Sequence, residues 1–277
     1  MSSPTTGSEY GPVSLIEEGS HLLRALPFSI LAAYAIGTLP FVWGLLVFWA
    51  DMSRSALASG HSSAAALGLV LLFIWMKSWQ TVYCRQVIAW LTQREAPRWT
   101  FVRLMRIAAH QGLLQATGFI LLPLAVLLTV PAAWVYAFYQ NVTVMDEGDS
   151  EGLAGLVRNA RHQAVLWPKQ NHLILLILSA FGLFVFFNSV MVLALAPALL
   201  KRFFGIDTIF TLSGVWGLFN TTFLVVAAGL THVCLDPLIK TVYTLRCFYG
   251  RSLKTGEDLR AWLARRRRSA ATLSMDR

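Results

Sequence analysis

Apolar residues occur in long runs along this chain, and short polar or basic segments separate the runs. A helix needs about 20 apolar residues to cross the hydrocarbon core of a bilayer. Four runs clearly reach that length, namely Leu26–Ala50, Ala64–Tyr83, Leu173–Leu195 and Leu212–Leu235. A fifth run, Gly112–Met145, is longer and contains Pro131, so it forms either one over-long helix or two helices. The pattern predicts an all-α, polytopic membrane protein.

The positions of Lys and Arg predict how these runs are arranged, because short positive loops stay in the cytoplasm. Five arginines lie between residues 85 and 106, and the chain ends in a basic stretch that includes Ala264–Arg268. If both segments are cytoplasmic, an even number of crossings separates them. One helix for each of the three runs that lie between them would give three crossings, so one run must contribute two. Either the Gly112–Met145 run turns back near Pro131, which lacks an amide hydrogen, or the run Leu173–Phe204 splits near Asn188.

We favour the turn near Pro131, which gives six membrane passes with both termini in the cytoplasm. The fourth pass, Ala132–Val144, is then short and does not span the bilayer fully. The predicted organisation is a disordered segment over 1–12, a single helical membrane domain over 13–250 and a basic cytoplasmic tail over 251–277. Whether 112–145 crosses once or forms a hairpin stays open at this point.

Amphipathic segments precede the predicted hairpins, for example PRWTFVRLMRIAAHQ and EGLAGLVRNARHQAVLWPKQ. In the second of these segments an apolar stripe is predicted, formed by Leu153, Leu156, Val157, Ala160 and Ala164. Basic amphipathic helices lie in the headgroup plane and favour anionic lipid. The predicted headgroup contacts are Arg98, Arg103, Arg106, Arg158, Arg161, Lys240 and Arg246. The simpler alternative is that these segments only connect the membrane spans.

Composition agrees with a membrane protein and excludes an ordinary soluble domain. The chain has 277 residues, of which 56% are hydrophobic and only 13% charged, whereas soluble domains have about 25% charged residues. The formal net charge is +9. In so apolar a chain this charge sets topology and attracts anionic phospholipid, and nucleic acid is not the expected partner.

The end of the last run contains an Asp-Pro pair, in LDPLIKTVYTLRCFYG. One interpretation is a helix start, with Asp236 as the N-cap, Pro237 in the first turn and Gly250 as the stop. The functional interpretation makes Asp236 an intramembrane carboxylate, which is costly and often functional. Lys77, in the inner half of the second run, is its predicted partner. The simpler alternative for Lys77 is that its ammonium extends to the headgroups.

No motif in the chain predicts catalysis, a metal site or a cofactor. No P-loop, HExxH, GxSxG or dinucleotide-binding pattern occurs in a convincing sequence context. The three cysteines and six histidines lack the spacing of metal ligands. We therefore predict a protein that is not an enzyme. The glycines Gly37, Gly44 and Gly68 are predicted to allow close contact between helices.

Three segments carry a resemblance to a known architecture: LLRALPFSILAAYAIGTLPFVWGLLVFWADMSRSA, GLVRNARHQAVLWPKQNHLILL and LDPLIKTVYTLRCFYGRSLKTGEDL. Through them the chain resembles a family of uncharacterised bacterial multi-pass membrane proteins. It is more distantly similar to the membrane domain of glycerophosphodiester phosphodiesterases. The soluble catalytic domain of those enzymes has no counterpart here, so their activity does not carry over. The resemblance implies a bacterial cytoplasmic (inner) membrane location and a membrane-linked ATPase or protease-like partner.

Two functions of different classes fit these observations. A non-enzymatic scaffold or assembly component of a membrane complex fits the short external loops, the basic cytoplasmic face and the lack of catalytic motifs. A small-molecule or lipid transporter fits the broken helices and the Asp236 and Lys77 charges. A transporter needs a polar cavity lined from several spans, and the spans contain few polar residues. We therefore favour the scaffold.

Overall fold

The computed structural model describes residues 11–55, 58–95, 97–128, 132–148, 152–205 and 220–263. Within these ranges the chain is helical and contains no strand. The helices are α1 Pro12–Ala25, α2 Phe28–Arg54, α3 Ala58–Thr92, α4 Phe101–Leu127, α5 Ala132–Met145, α6 Gly152–Val165, α7 Pro168–Phe204 and α8 Thr221–Thr255. Residues 257–263 are also helical. Five helices, α2, α3, α4, α7 and α8, are long and apolar enough to cross a membrane, which confirms a polytopic helical membrane protein.

Helices α4 and α5 form an antiparallel hairpin. The side-chain Nε2 of Gln111 donates to the Asp146 carboxylate at 2.9 Å, and Nε2 of Gln115 donates to the Thr143 hydroxyl at 3.1 Å. The end of α5 therefore returns to the level at which α4 starts, which confirms that the Gly112–Met145 run turns back. Pro131, the predicted turning point, lies outside the described residues. With 14 residues, α5 is about 21 Å long and falls short of the roughly 30 Å hydrocarbon core.

Several chain connections meet at one end of the molecule. Glu147, just after α5, pairs with Arg85 of α3 and with Arg251 of α8, and Arg94 pairs with Glu257 at 3.3 Å. We name this region the basic end. It comprises the end of α3, the start of α4, the end of α5, helix α6 and the end of α8. The side of the membrane that the basic end faces stays a prediction.

The hydrophobic core lies next to the basic end, around the second half of α8. From Asp236 to Ser252 nearly every residue of α8 is buried, and α8 contacts α1, α2, α3, α5 and α7. Tyr83, Val242 and Leu245 are completely inaccessible within this core.

The opposite part of the molecule exposes large apolar side chains. We name it the apolar half, defined as residues 39–54 of α2, 58–72 of α3, 181–204 of α7 and 220–235 of α8. Trp43, Phe184 and Phe187 are all more than 60% exposed there. Such a surface is stable only in contact with lipid or with another apolar surface.

Helix α8 runs without a break through the Asp-Pro pair, so the predicted helix start at Asp236 is wrong. Pro237 lies inside the helix, and the helix ends at Gly256, which has φ +64, rather than at Gly250. Pro removes one backbone hydrogen bond, a loss that helices packed in a membrane protein tolerate. The predicted boundary at residue 250 therefore falls inside α8. At the N-terminal boundary of the predicted domain, residue 13, the first helix α1 begins one residue earlier, at Pro12.

Two of the three predicted glycine contacts are confirmed. A Cβ atom on Gly37 would overlap the Cβ atom of Trp79, and one on Gly44 would lie 2.5 Å from Leu72. These glycines allow α2 and α3 to pack closely. The prediction for Gly68 is wrong, because a Cβ atom there would meet nothing within 4 Å.

Helix α6 is amphipathic as predicted. Leu156, Ala160 and Ala164 of the predicted apolar stripe are buried, while Arg158 and Arg161 are exposed. The buried face packs against α5, where the Asn141 amide donates to the carbonyl oxygen of Ala160 at 3.2 Å.

Candidate functional site

The first candidate site is a buried polar cluster around Asp236 of α8, which is only 6% exposed. Its Oδ2 atom accepts a hydrogen bond from the Tyr34 hydroxyl at 2.9 Å and one from the Gln80 amide at 2.8 Å. Its Oδ1 atom lies 3.9 Å from the Lys240 ammonium. Groups from α2, α3 and α8 thus stabilise one carboxylate in an apolar surrounding.

Lys240, one helical turn after Asp236, is fully buried. Its Nζ atom donates to Oε1 of Gln140 at 2.7 Å, so the short helix α5 also contributes to the cluster. Each charge of the pair therefore has both an opposite charge and neutral hydrogen-bond partners, which a buried ion pair requires. We name Tyr34, Gln80, Gln140, Asp236 and Lys240 the Asp236 cluster.

Lys77, the predicted partner of Asp236, lies at the edge of the Asp236 cluster. It is half-buried, and its ammonium lies 5.5 Å from the centre of the Phe73 ring. The charges of Asp236 and Lys240 both act on it. The ion pair that Asp236 forms is with Lys240 and not with Lys77. A functional role for Lys77 and Asp236 stays a prediction.

Arg246, a predicted headgroup contact, lies in the protein interior instead. Its Nε donates to Oε1 of Gln170 at 3.1 Å, its Nη1 donates to the Gln163 carbonyl at 2.9 Å, and Trp167 lies against it. Arg246 and Lys240 are both 0% exposed. The headgroup prediction is therefore wrong for these two residues, since basic residues beyond a span can also be buried by the helices that meet there.

The other predicted headgroup residues belong to the basic end. Arg98, Arg106, Arg158 and Arg161 are exposed, and lipid contact stays a prediction for them. Arg103 is half-buried, and its Nε donates to the carbonyl oxygen of Glu147 at 2.6 Å. It thereby fixes the chain after α5.

The second candidate site is a polar cavity of about 530 Å³ at the basic end. Its ionisable lining residues are His110 of α4, Asp146 and Glu147 after α5, Arg158 and His162 of α6, and Arg251 and Lys254 of α8. Gly148 has φ +63, which lets the chain turn after α5. It also packs closely against α4, because a Cβ atom at this position would press on Arg103 and Ile107. We name this space the basic-end cavity.

The two carboxylates of the basic-end cavity have partners of their own. Burial raises the pKa of Glu147, but Arg85 and Arg251 outweigh burial and hold that pKa below its usual value. Asp146 lies 3.2 Å from Nδ1 of His110 and accepts a hydrogen bond from the Gly148 amide at 3.1 Å. Both groups therefore hold the walls of the cavity together.

Sequence reasoning missed Gln140, Asp146 and Glu147, which join α5 to the rest of the molecule. Two features of the sequence nevertheless point to these residues. Gln111 and Gln115 are four residues apart in an apolar run, so they lie on one face of α4. Polar residues at that spacing indicate a polar partner helix. The acidic residues directly after Met145 also stand out in a basic chain.

Both sites offer hydrogen-bonding and charged side chains. Within the described ranges, no group of three or more His, Cys, Asp or Glu side chains could hold a metal ion. Comparison of the chain with protein-family models, with curated proteins and with solved structures gives no match. The resemblance to bacterial multi-pass proteins therefore stays a prediction.

Proposed function

We propose that this protein is a non-enzymatic integral membrane scaffold that holds a partner protein at its basic end. The observation that carries the proposal is the unequal distribution of buried polar groups. Nearly all of them lie in or beside the basic end and the Asp236 cluster. The described residues of the apolar half contain a single buried polar side chain, Ser189, which donates to the Val185 carbonyl at 2.9 Å.

This distribution disfavours transport. A permease needs polar groups that lead from one side of the membrane to the other. In the apolar half, the described residues offer no such line of polar groups beyond Ser189 and its neighbour Thr231, 3.4 Å away. A polar solute that reached the Asp236 cluster would therefore have to cross an apolar layer.

The basic end has the rigidity that a scaffold needs. Ion pairs connect the ends of α3, α5 and α8, and the Tyr249 hydroxyl donates to Glu18 of α1 at 2.7 Å. Exposed arginines on α4 and α6, such as Arg106 and Arg161, surround this platform. A basic, rigid platform suits a partner with an acidic surface.

Gentle purification of the tagged protein, followed by mass spectrometry, tests the proposal. We expect a partner in stoichiometric amount, of the membrane-linked ATPase or protease-like class. The R106E/R161E variant should lose it, because both side chains are exposed and form no ion pair among the described residues. R202E, which changes an exposed arginine at the other end of the molecule, is the matched control. A homo-oligomer that carries only lipid would contradict the proposal.

Transport of a small molecule or lipid is the second candidate, and one observation favours it. Two polar atoms beside Asp236, Oε1 of Gln80 and Nε2 of His232, are buried and have no hydrogen-bond partner within the part of the chain that the structure describes. Unsatisfied polar atoms near a buried charge pair suit a site that opens to a solute. Solute flux in proteoliposomes that D236N abolishes, while K169Q at the start of α7 leaves it intact, would favour this candidate over the scaffold.

A further inference from the structure

The basic-end cavity has the size and construction of a ligand site. Its volume of about 530 Å³ falls within the roughly 300–1,000 Å³ of small-molecule pockets. Residues of α4, α5, α6 and α8, together with Asp146–Gly148, form its walls, so the lining side chains come from distant parts of the sequence. Close packing holds these walls, since a Cβ atom on Gly250 of α8 would meet the Gln163 side chain and Leu166.

Two cationic side chains of the cavity are not used by the fold. Arg158 of α6 is exposed and forms no ion pair or hydrogen bond among the described residues. Lys254 of α8 is also exposed, and its hydrogen-bond partner among the described residues is His162, with 3.4 Å between Nζ and Nε2. Two positive groups from separate helices thus line one space, and neither forms an ion pair with a carboxylate of the described residues.

The carboxylates that line the same cavity already have ion-pair or hydrogen-bond partners in the protein. Glu147 is shared by Arg85 and Arg251, and Asp146 accepts hydrogen bonds from Gln111 and from the Gly148 amide. Glu147 is therefore ion-paired, and Asp146 hydrogen-bonded, within the wall. Arg158 has no hydrogen-bond partner among the described residues, and Lys254 directs one of its three N–H donors to His162, so both can donate hydrogen bonds to an anion.

We propose that the basic-end cavity binds a phosphate group through Arg158 and Lys254. The Arg guanidinium can donate two parallel hydrogen bonds to phosphate oxygens, and the Lys ammonium adds a point charge. His162 lines the same cavity and can donate a further hydrogen bond. The phosphate belongs either to an anionic lipid headgroup or to a water-soluble phosphorylated molecule. This site is independent of the partner surface in the scaffold proposal.

Thermal unfolding of the full-length protein in neutral detergent tests the site, with inorganic phosphate as the probe and sodium chloride at matched ionic strength as the reference. Phosphate should raise the melting temperature beyond the chloride control, because a ligand that binds only the folded state stabilises it. R158Q and K254Q should each raise the apparent dissociation constant about tenfold. R161Q, on the same helix but outside the cavity lining, should bind as the wild type does.

Phosphate stabilisation that is equal in wild type, R158Q and K254Q would overturn the proposal, as would no stabilisation of the wild type. The chain also carries Asp149 and Glu151 between two glycines that line the cavity. Binding by the D149N/E151Q variant but not by the wild type would show that carboxylates fill the native site, and would equally overturn the proposal.

Nanodiscs distinguish the two sources of the phosphate group. If a lipid headgroup is the natural occupant, phosphatidate in the nanodisc should raise the melting temperature of wild type more than that of R158Q, and should abolish the effect of free phosphate. If a soluble phosphorylated molecule is the occupant, free phosphate should act equally in nanodiscs with and without phosphatidate. Both outcomes support the site, and they identify its ligand class.

Discussion

The basic end and the apolar half share helices α3 and α8 but differ in how these helices are buried. In α8, residues after Asp236 are buried by five other helices, whereas Leu224 and Leu230 remain 38% exposed. At the basic end, polar groups meet polar groups inside a closed core. In the apolar half the surrounding bilayer has to cover the surface. The difference indicates that the contacts that define a unique structure, and any specific binding site, lie at the basic end and in its adjoining core.

The largest effect should come from Asp236→Asn, which leaves the buried Lys240 ammonium without an opposite charge. Removing one partner of a buried pair costs about 3–5 kcal/mol. Thermal or chaotrope unfolding in detergent measures the loss of stability. D236N/K240M should lose less than the sum of the two single variants, and D236N/K77M should be close to additive. The reverse pattern would show that Lys77, and not Lys240, is the effective partner.

Gly37→Ala should come next, with a loss of about 1–3 kcal/mol, because overfilling a tight helix contact forces side chains and backbone apart. A Cβ atom at Gly37 would overlap Trp79, and the Met76 carbonyl oxygen lies 3.3 Å away. Gly68→Ala on α3 is the matched control and should change stability by less than about 0.5 kcal/mol. Equal losses in the two variants would contradict the difference in packing between the two regions.

Glu147→Gln should cost about 0.5–1 kcal/mol near neutral pH, since this carboxylate is 35% exposed and solvent screens its pairs. The pKa of Glu147 is held below its usual value of 4.5, so its stabilisation is fully present above pH 4.5 and is lost as the pH falls through the lowered pKa. The difference in stability between wild type and E147Q should therefore shrink in acid. A difference that grows on acidification would contradict the ion pairs with Arg85 and Arg251.

The smallest effect on stability should come from exposed arginines of the basic end. R98Q, R106Q and R161Q should each stay within about 0.5 kcal/mol of wild type. The triple variant should retain fewer anionic phospholipids, because near a surface each basic residue adds about 1 kcal/mol of attraction. Native mass spectrometry of bound lipid measures this. Unchanged lipid retention would leave these arginines without a role in headgroup binding.

The sequence predicted the helical spans and the hairpin because both follow from properties that each segment carries alone. Run length predicted α2, α3 and α7. The parity of positive segments left two alternatives, of which we favoured the turn of the Gly112–Met145 run near Pro131. The apolar stripe of α6 was also visible, since Leu156, Ala160 and Ala164 recur at helical spacing.

The Asp236 cluster could not be predicted in detail because it depends on which helices meet. Asp236-Pro237 has the local signature of a helix start, but packing against neighbouring helices keeps α8 continuous. Gln140 is far from Lys240 in sequence, and nothing local indicates that α5 inserts beside α8. The burial of Arg246 has the same cause, because its partners Gln163 and Gln170 come from α6 and α7.

The central claim is that the connections after α3 and α5, together with helix α6, share one side of the membrane. Site-directed cysteine labelling with a membrane-impermeant maleimide tests it in vesicles of known orientation. The background is C234A, because Cys84 and Cys247 are buried. Exposed positions Arg98, Arg161 and Gly60 are changed to cysteine one at a time. The account predicts that R98C and R161C react from the same side and G60C from the other. Reaction of R98C and R161C from opposite sides would contradict it.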